Sequence, residues 1–202
     1  MATIYCVGRN YAAHADELGN ERPSEPVIFL KSMASLRGLE PSEMAFASDI
    51  FDHELEVVVR VAKDSHLGES LTIERLDGIG LGLDLTRRPV QQRLKEKGLP
   101  WTTAKSFCGS SILAPLVPLP LALSLGNFSF ELKVNGQLRQ FGQTSEMSWG
   151  ILEILNYINA FSPLKLGDLI FTGTPSGVGP IKVGDKFSIS SKELNYNFDG
   201  EL

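Results

Sequence analysis

Residues 51–61 read FDHELEVVVRV, with two glutamates one residue apart and three valines directly behind them. Three consecutive β-branched residues disfavour a helix and favour a pleated, packed strand. Side chains alternate faces along a strand, so Glu54 and Glu56 project together, about 7 Å apart, while Leu55 and Val57 take the other face. Two ionised carboxylates that close repel each other, and neither is buried cheaply without a partner. Two arrangements satisfy this constraint. The glutamates line the solvated face of an edge strand, or a cation lies between them. The pattern alone leaves both open.

The rest of the chain is cut into similarly short pieces. IYCVG (4–8) and VIFLK (27–31) read as short buried strands, and NYAAHADEL before Gly19 and Asn20 reads as a short helix. GIGLGLDLT is an apolar strand that ends on Asp84, and PVQQRLKEKG has Pro89 at a first helical position and Gly98 as a stop. FSFELKV-NG-QLRQ is a hairpin turning at Asn135 and Gly136. Apolar residues at helical spacing over 145–161 predict a helix packed on the sheet, and DLIFTGTPSGVGP and KFSIS predict further strands around a glycine-rich turn. Short strands, few helices and no β-α alternation predict an α+β class with a rolled or sandwich-like mixed β core. With 202 residues, one domain over 1–202 is expected.

Composition removes several partners. A net charge of -5 gives no basic face, which argues against nucleic acid. Cys6 and Cys108 stand in unrelated contexts, so neither a zinc ribbon nor a disulfide framework is expected, and a cytoplasmic setting is. MATIYCVGRNYAAH lacks a basic start followed by a long apolar stretch, so no signal peptide is read there. The segment 112–126, ILAPLVPLPLALSLG, is too short to span a bilayer and carries three prolines; it reads as an extended connector, with no membrane partner.

Asp84 at a strand end, taken alone, reads as a residue bonding the next turn. Together with Glu54 and Glu56 it completes a set of three hard oxygen donors that suits Mg²⁺ or Mn²⁺. The series CVGRNYAAHADELG, SEPVIFLK, HELEVVV, LGLDLTRRPVQ, KGLPWTTAKSF, VNGQLRQ and GDLIFTGTPSGVGP resembles the fumarylacetoacetate hydrolase family from about residue 4 to about residue 190. Within it the chain is most similar to short members described as acylpyruvases, oxaloacetate decarboxylases or 2-hydroxyhepta-2,4-diene-1,7-dioate isomerases.

The resemblance implies a β-roll fold, a homodimer, and Mg²⁺ (Mn²⁺ as the alternative) held by Glu54, Glu56 and Asp84. It implies a small-molecule oxo-acid substrate and a hydrolase cleaving a C–C bond in acylpyruvate-type acids, with oxaloacetate decarboxylation in the same site. An isomerase or decarboxylase of aromatic catabolism is the alternative. By resemblance His14 is the general base and Glu17, three residues on, orients it; Lys105 stabilises enolate charge. Arg88, Gln91 and Thr174 are substrate contacts on the same grounds, although each also reads as an ordinary polar residue at a helix start or turn. The TGTPSGVG loop is no P-loop, because no Gly-Lys-Ser/Thr follows its glycines. The sequence departs from the family pattern at Asp52, where a second histidine is common, at Ser32, at Pro89 and at Ser111. His53 faces away from Glu54 by strand alternation.

Overall fold

In the computed structural model, which describes residues 2–12, 23–41, 43–119 and 125–202, the valine run becomes the middle of a mixed sheet. The strands are β1 (Ile4–Gly8), β2 (Val27–Lys31), β3 (Leu36–Arg37), β4 (Phe51–His53), β5 (Leu55–Val61), β6 (Leu76–Asp84), β7 (Ser111–Leu113), β8 (Val117–Pro118), β9 (Ser129–Val134), β10 (Gln137–Gln143), β11 (Leu169–Phe171), β12 (Gly179–Ile181), β13 (Lys186–Ser191) and β14 (Tyr196–Glu201). The main sheet runs β2-β1-β11-β5-β6-β7-β3, with β8 added beside β6; β10-β9-β13-β14 form a second sheet and β12-β4 a small third. Pairing is antiparallel except for β1 with β11 and β3 with β7. The three α-helices among the described residues are short: Arg88–Glu96, Thr102–Lys105 and Ile151–Asn159. The class is α+β, as the sequence predicts.

The continuous valines have a packing reason. Val57, Val59 and Val61 enter the main core with Leu81, Leu83 and, from the Ile151–Asn159 helix, Ile154 and Ile158. Val58 faces the opposite side, where it packs with Ile4, Cys6, Leu169 and Phe171. A strand buried on both faces reads as an unbroken apolar run rather than an alternating one. Glu56 lies two residues before Val58, so its carboxylate starts out on a buried face, and the edge-strand arrangement is excluded.

Local punctuation follows the sequence closely. Asn135 and Gly136 both have positive φ, 50° and 77°, as a two-residue hairpin turn requires. Gly98 ends the Arg88–Glu96 helix in the left-handed region, at φ 62°. The helix expected over 145–161 is shorter, Ile151–Asn159. Its first residues are drawn off because Ser148 N–H donates to Asn10 O at 2.7 Å and Trp149 N–H to Asn10 Oδ1 at 2.9 Å. The Thr102–Lys105 turn of helix, four residues long, has no periodic signal in sequence. The proline-rich connector is not wholly irregular: its first part supplies β7 and β8. Beyond Ala12, the short helix expected before Gly19 lies outside the described residues. No helix among the described residues is long and apolar enough to cross a membrane.

Candidate active site

Antiparallel pairing of β5 with β6 places the three acids together. Leu55 lies opposite Leu83 and Glu56 opposite Gly82, so Asp84 arrives beside Glu54, and Asp84 N–H donates to Glu54 O at 2.9 Å. One carboxylate oxygen from each of Glu54, Glu56 and Asp84 lies within 4.8 Å of the others. All three residues are buried, at 6%, 2% and 0% exposure. Carboxylates gathered so tightly demand positive charge.

Part of that charge comes from the protein. Lys105 Nζ donates to Glu54 Oε2 at 2.6 Å and to Asp84 Oδ2 at 2.7 Å. Lys31 Nζ donates to the other Asp84 oxygen at 2.5 Å and to Ser110 O at 2.7 Å. Arg88 Nη2 donates to Glu54 Oε1 at 2.6 Å, and Thr86 Oγ1 donates to the same atom at 3.0 Å. Burial alone would lower the Lys105 pKa, but Asp84 and Glu54 outweigh it and hold the ammonium above its ordinary value. Lys105 is therefore a fixed cation at neutral pH.

Glu56 is different. Its hydrogen bond among the described residues comes from Gly173 N–H, at 2.7 Å, and no lysine or arginine pairs with it. Burial, followed by the charges of Asp84 and Glu54, pushes its pKa well up. A buried carboxylate in that position is costly unless a cation joins it. Each carboxylate oxygen has two lone pairs, so the lysines on Glu54 and Asp84 do not use up their donor capacity. The donor set, all oxygen, fits a hard divalent cation.

The cleft above the acids brings together Glu54, Glu56, Arg88, Gln91, Lys105 and Thr174. Asp84 is fully buried and reaches the same cluster by sharing Lys105 with Glu54. Arg88 is braced, with Nε donating to Asp52 Oδ2 at 2.7 Å and Nη1 to Gln91 Oε1 at 2.7 Å. Asp52, the departure from the family's usual histidine, is thus what aims the arginine. Thr174 Oγ1 accepts from Gln140 Nε2 at 2.8 Å. His14 and Glu17 lie outside the described residues. His53 turns away from the acids, with Nδ1 2.9 Å from Gln140 Oε1.

Four participants were not singled out in the sequence: Lys31, Gln140, Arg9 and Lys95. Lys31 ends an otherwise apolar strand, which is a weak signal. Gln140 is buried at a register shift in β10, where the bulge carries it in to meet residues far away in the chain. Arg9 and Lys95 line the cleft.

Known proteins resemble the chain over nearly its whole length. The family model described as fumarylacetoacetate (FAA) hydrolase C-terminal matches residues 3–196. The chain is 43% identical over 185 residues to oxaloacetate tautomerase FAHD1, mitochondrial, of Bos taurus, covering 91% of this chain and 84% of that protein. It is 37% identical over 209 residues to oxaloacetate tautomerase YcgM of Escherichia coli, covering 99% and 90%. Its fold matches the crystal structure of fumarylpyruvate hydrolase from Pseudomonas aeruginosa in complex with Mn²⁺ and pyruvate, with TM-score 0.88, 32% identity, and coverage of 100% and 89%.

Proposed function

The chain belongs to the fumarylacetoacetate hydrolase family, and on that premise we propose that it is a divalent-metal enzyme acting on 2-oxo acids with a second carbonyl at C4. The observation that carries this reading is Glu56, buried in a polar cleft beside Glu54 and Asp84 with no lysine or arginine paired to it among the described residues. Glu54, Glu56 and Asp84 would hold Mg²⁺ or Mn²⁺, which when bound supplies Lewis-acid polarisation of substrate oxygens.

The chain's own residues do the rest. Oxaloacetate and acylpyruvates share an acidic C3–H between two carbonyls, so both react through an enolate. Lys105, held protonated by Glu54 and Asp84, is a preorganised donor for the charge that develops on oxygen. Arg88, braced by Asp52, and Gln91 present one edge of the cleft to a substrate carboxylate. Gln140 donates to Thr174 Oγ1, which leaves the threonine O–H free to donate into the cleft. Phe29 and Trp101, in edge contact at 5.9 Å, form an apolar wall that limits water.

Keto–enol exchange of oxaloacetate is the reaction we assign first, supported by the 43% and 37% identity to the two named tautomerases. Acylpyruvate hydrolysis, the first expectation from the sequence, is the second reading and is favoured by the likeness to the Pseudomonas hydrolase. The two differ in one requirement. Keto–enol exchange needs a base to take the C3 proton and return it; hydrolysis needs an activated water as well, assigned here to His14 with Glu17.

The test is a parallel assay of oxaloacetate tautomerisation, oxaloacetate decarboxylation and acetylpyruvate and fumarylpyruvate cleavage, with Mg²⁺, with Mn²⁺ and after chelation. All turnover should stop on chelation and return with either ion. In His14→Ala, hydrolysis should fall by about 10²- to 10⁴-fold while Mg²⁺ affinity is retained. Undiminished turnover in chelator would refute the metal reading.

A further inference from the structure

One face of the Arg88–Glu96 helix presents three residues to the cleft: Arg88, Gln91 and, one turn further, Lys95. Arg88 is charge-paired with Asp52 and Glu54 and bonded to Gln91, which leaves two of its five N–H donors for the 2-oxo acid end. Lys95 has no carboxylate partner among the described residues; its Nζ lies 5.4 Å from the centre of the Trp101 ring, a contact that steers a cation without neutralising it.

Arg9 follows β1 and also lines the cleft, without an acidic partner among the described residues. Its backbone has φ 60°, the left-handed region that a long L side chain rarely adopts. Such strain is kept where the surrounding structure over-determines it, most often at a site that uses it. Here it turns an arginine towards a cleft already holding Arg88, Lys95 and Lys105. Burial, and then the charges of Arg9 and Arg88, lower the Lys95 pKa. Two half-buried cations that line one cleft, each without a carboxylate partner among the described residues, make a place for an anion.

We propose that Arg9 and Lys95 form a second anion subsite, which takes the distal carboxylate of a dicarboxylic 2-oxo acid and selects such acids over monocarboxylic acylpyruvates. The inference rests on the reading of this cleft as an oxo-acid site and deepens it to a substrate class. The division of labour is chemical. The acid triad, Lys105 and Arg88 handle the 2-oxo acid end that every candidate substrate shares. Arg9 and Lys95 read the other end, where oxaloacetate and fumarylpyruvate carry a carboxylate and acetylpyruvate carries a methyl group.

Two unreactive ligands that differ in this one group, malate and lactate, test it by calorimetry on the full-length protein loaded with Mn²⁺. Hydrogen bonds to charged groups contribute about 1.5–3 kcal/mol, so wild type should prefer malate by at least about tenfold. Lys95→Gln, and Arg9→Asn, which tolerates the left-handed backbone, should each remove most of that preference, the loss falling on malate. Lys95→Arg should keep it. Equal affinity of wild type for the two ligands, or an undiminished malate preference in Lys95→Gln and Arg9→Asn, would overturn the subsite. Failure of the underlying oxo-acid reading shows separately, as a wild-type protein that takes up no Mn²⁺ in the preceding metal titration.

Discussion

Gln140 offers a test of how the site is held. Its amide makes four hydrogen bonds: Oε1 accepts from Leu55 N–H at 2.9 Å and lies 2.9 Å from His53 Nδ1, while Nε2 donates to Thr174 Oγ1 at 2.8 Å and to Pro175 O at 3.0 Å. Leu55 stands between the two glutamates, and Thr174 and Pro175 belong to the glycine-rich loop after β11, so one buried side chain ties the acid segment to that loop. Gln140→Met keeps length and nearly keeps volume, which leaves the cavity term small. The Leu55 N–H and the Pro175 carbonyl would then be buried without partners, at about 1–3 kcal/mol each. The histidine can rearrange its proton, so it is left out of the sum. The expected loss is about 3 kcal/mol, a large part of the roughly 5–15 kcal/mol that holds a domain together. For a protein of this size that is a fall in Tm of about 6–12 °C. Urea unfolding monitored by tryptophan fluorescence measures it directly. A loss below about 1 kcal/mol would show that water replaces the amide and that the loop is held by something else.

Metal binding supplies the next expectation: an ion at 100 times its Kd should stabilise the wild type by about 2.7 kcal/mol in a thermal melt, and Glu56→Gln should abolish that gain while folding normally. Unchanged Mg²⁺ affinity of that variant in calorimetry would remove Glu56 from the ligand set. Gly173→Ala should be more damaging than its size suggests, because φ is 100° and the added Cβ would sit 2.7 Å from Asn10 Cβ and 3.1 Å from Val7 O. Asn10 is itself pinned to Trp149 O and Thr172 O, so we expect a loss of about 2–4 kcal/mol and weaker Mn²⁺ binding, both read by melting with and without the ion. We also expect a homodimer; a light-scattering mass near the chain's 22.1 kDa would count against it.

The parts of the fold that were legible in the sequence are those fixed by near neighbours. The Asn135-Gly136 turn, the Gly98 stop and the valine strand each depend on the conformational preferences of a few adjacent residues. The start of the Ile151–Asn159 helix does not. Residues 145–149 carry acceptable helical spacing, but Asn10, more than a hundred residues away, offers their backbone N–H groups better partners. A competition between a local turn and a distant amide cannot be read from periodicity.

The same distinction runs through the site. Glu54 and Glu56 announce themselves because two carboxylates at the start of a valine strand are an anomaly within three residues, and Asp84 follows once β5 and β6 pair. Their counter-charges carry no such anomaly. Lys31 comes from a strand on the far side of β1, 53 residues before the acid it meets, and Lys105 from a four-residue helix with no pattern of its own. A carboxylate in an apolar run is out of place wherever the chain goes; a lysine in a polar turn is at home until the fold carries it inward. The legible half of this site is therefore the pair of acids set close together against an apolar run; Lys31, a single charge at the end of β2, and Lys105 carry no such pattern. By this argument Glu56, which meets no lysine or arginine among the described residues, is the residue whose missing partner is sought outside the chain, and Arg9 and Lys95 pose the same question with the sign reversed.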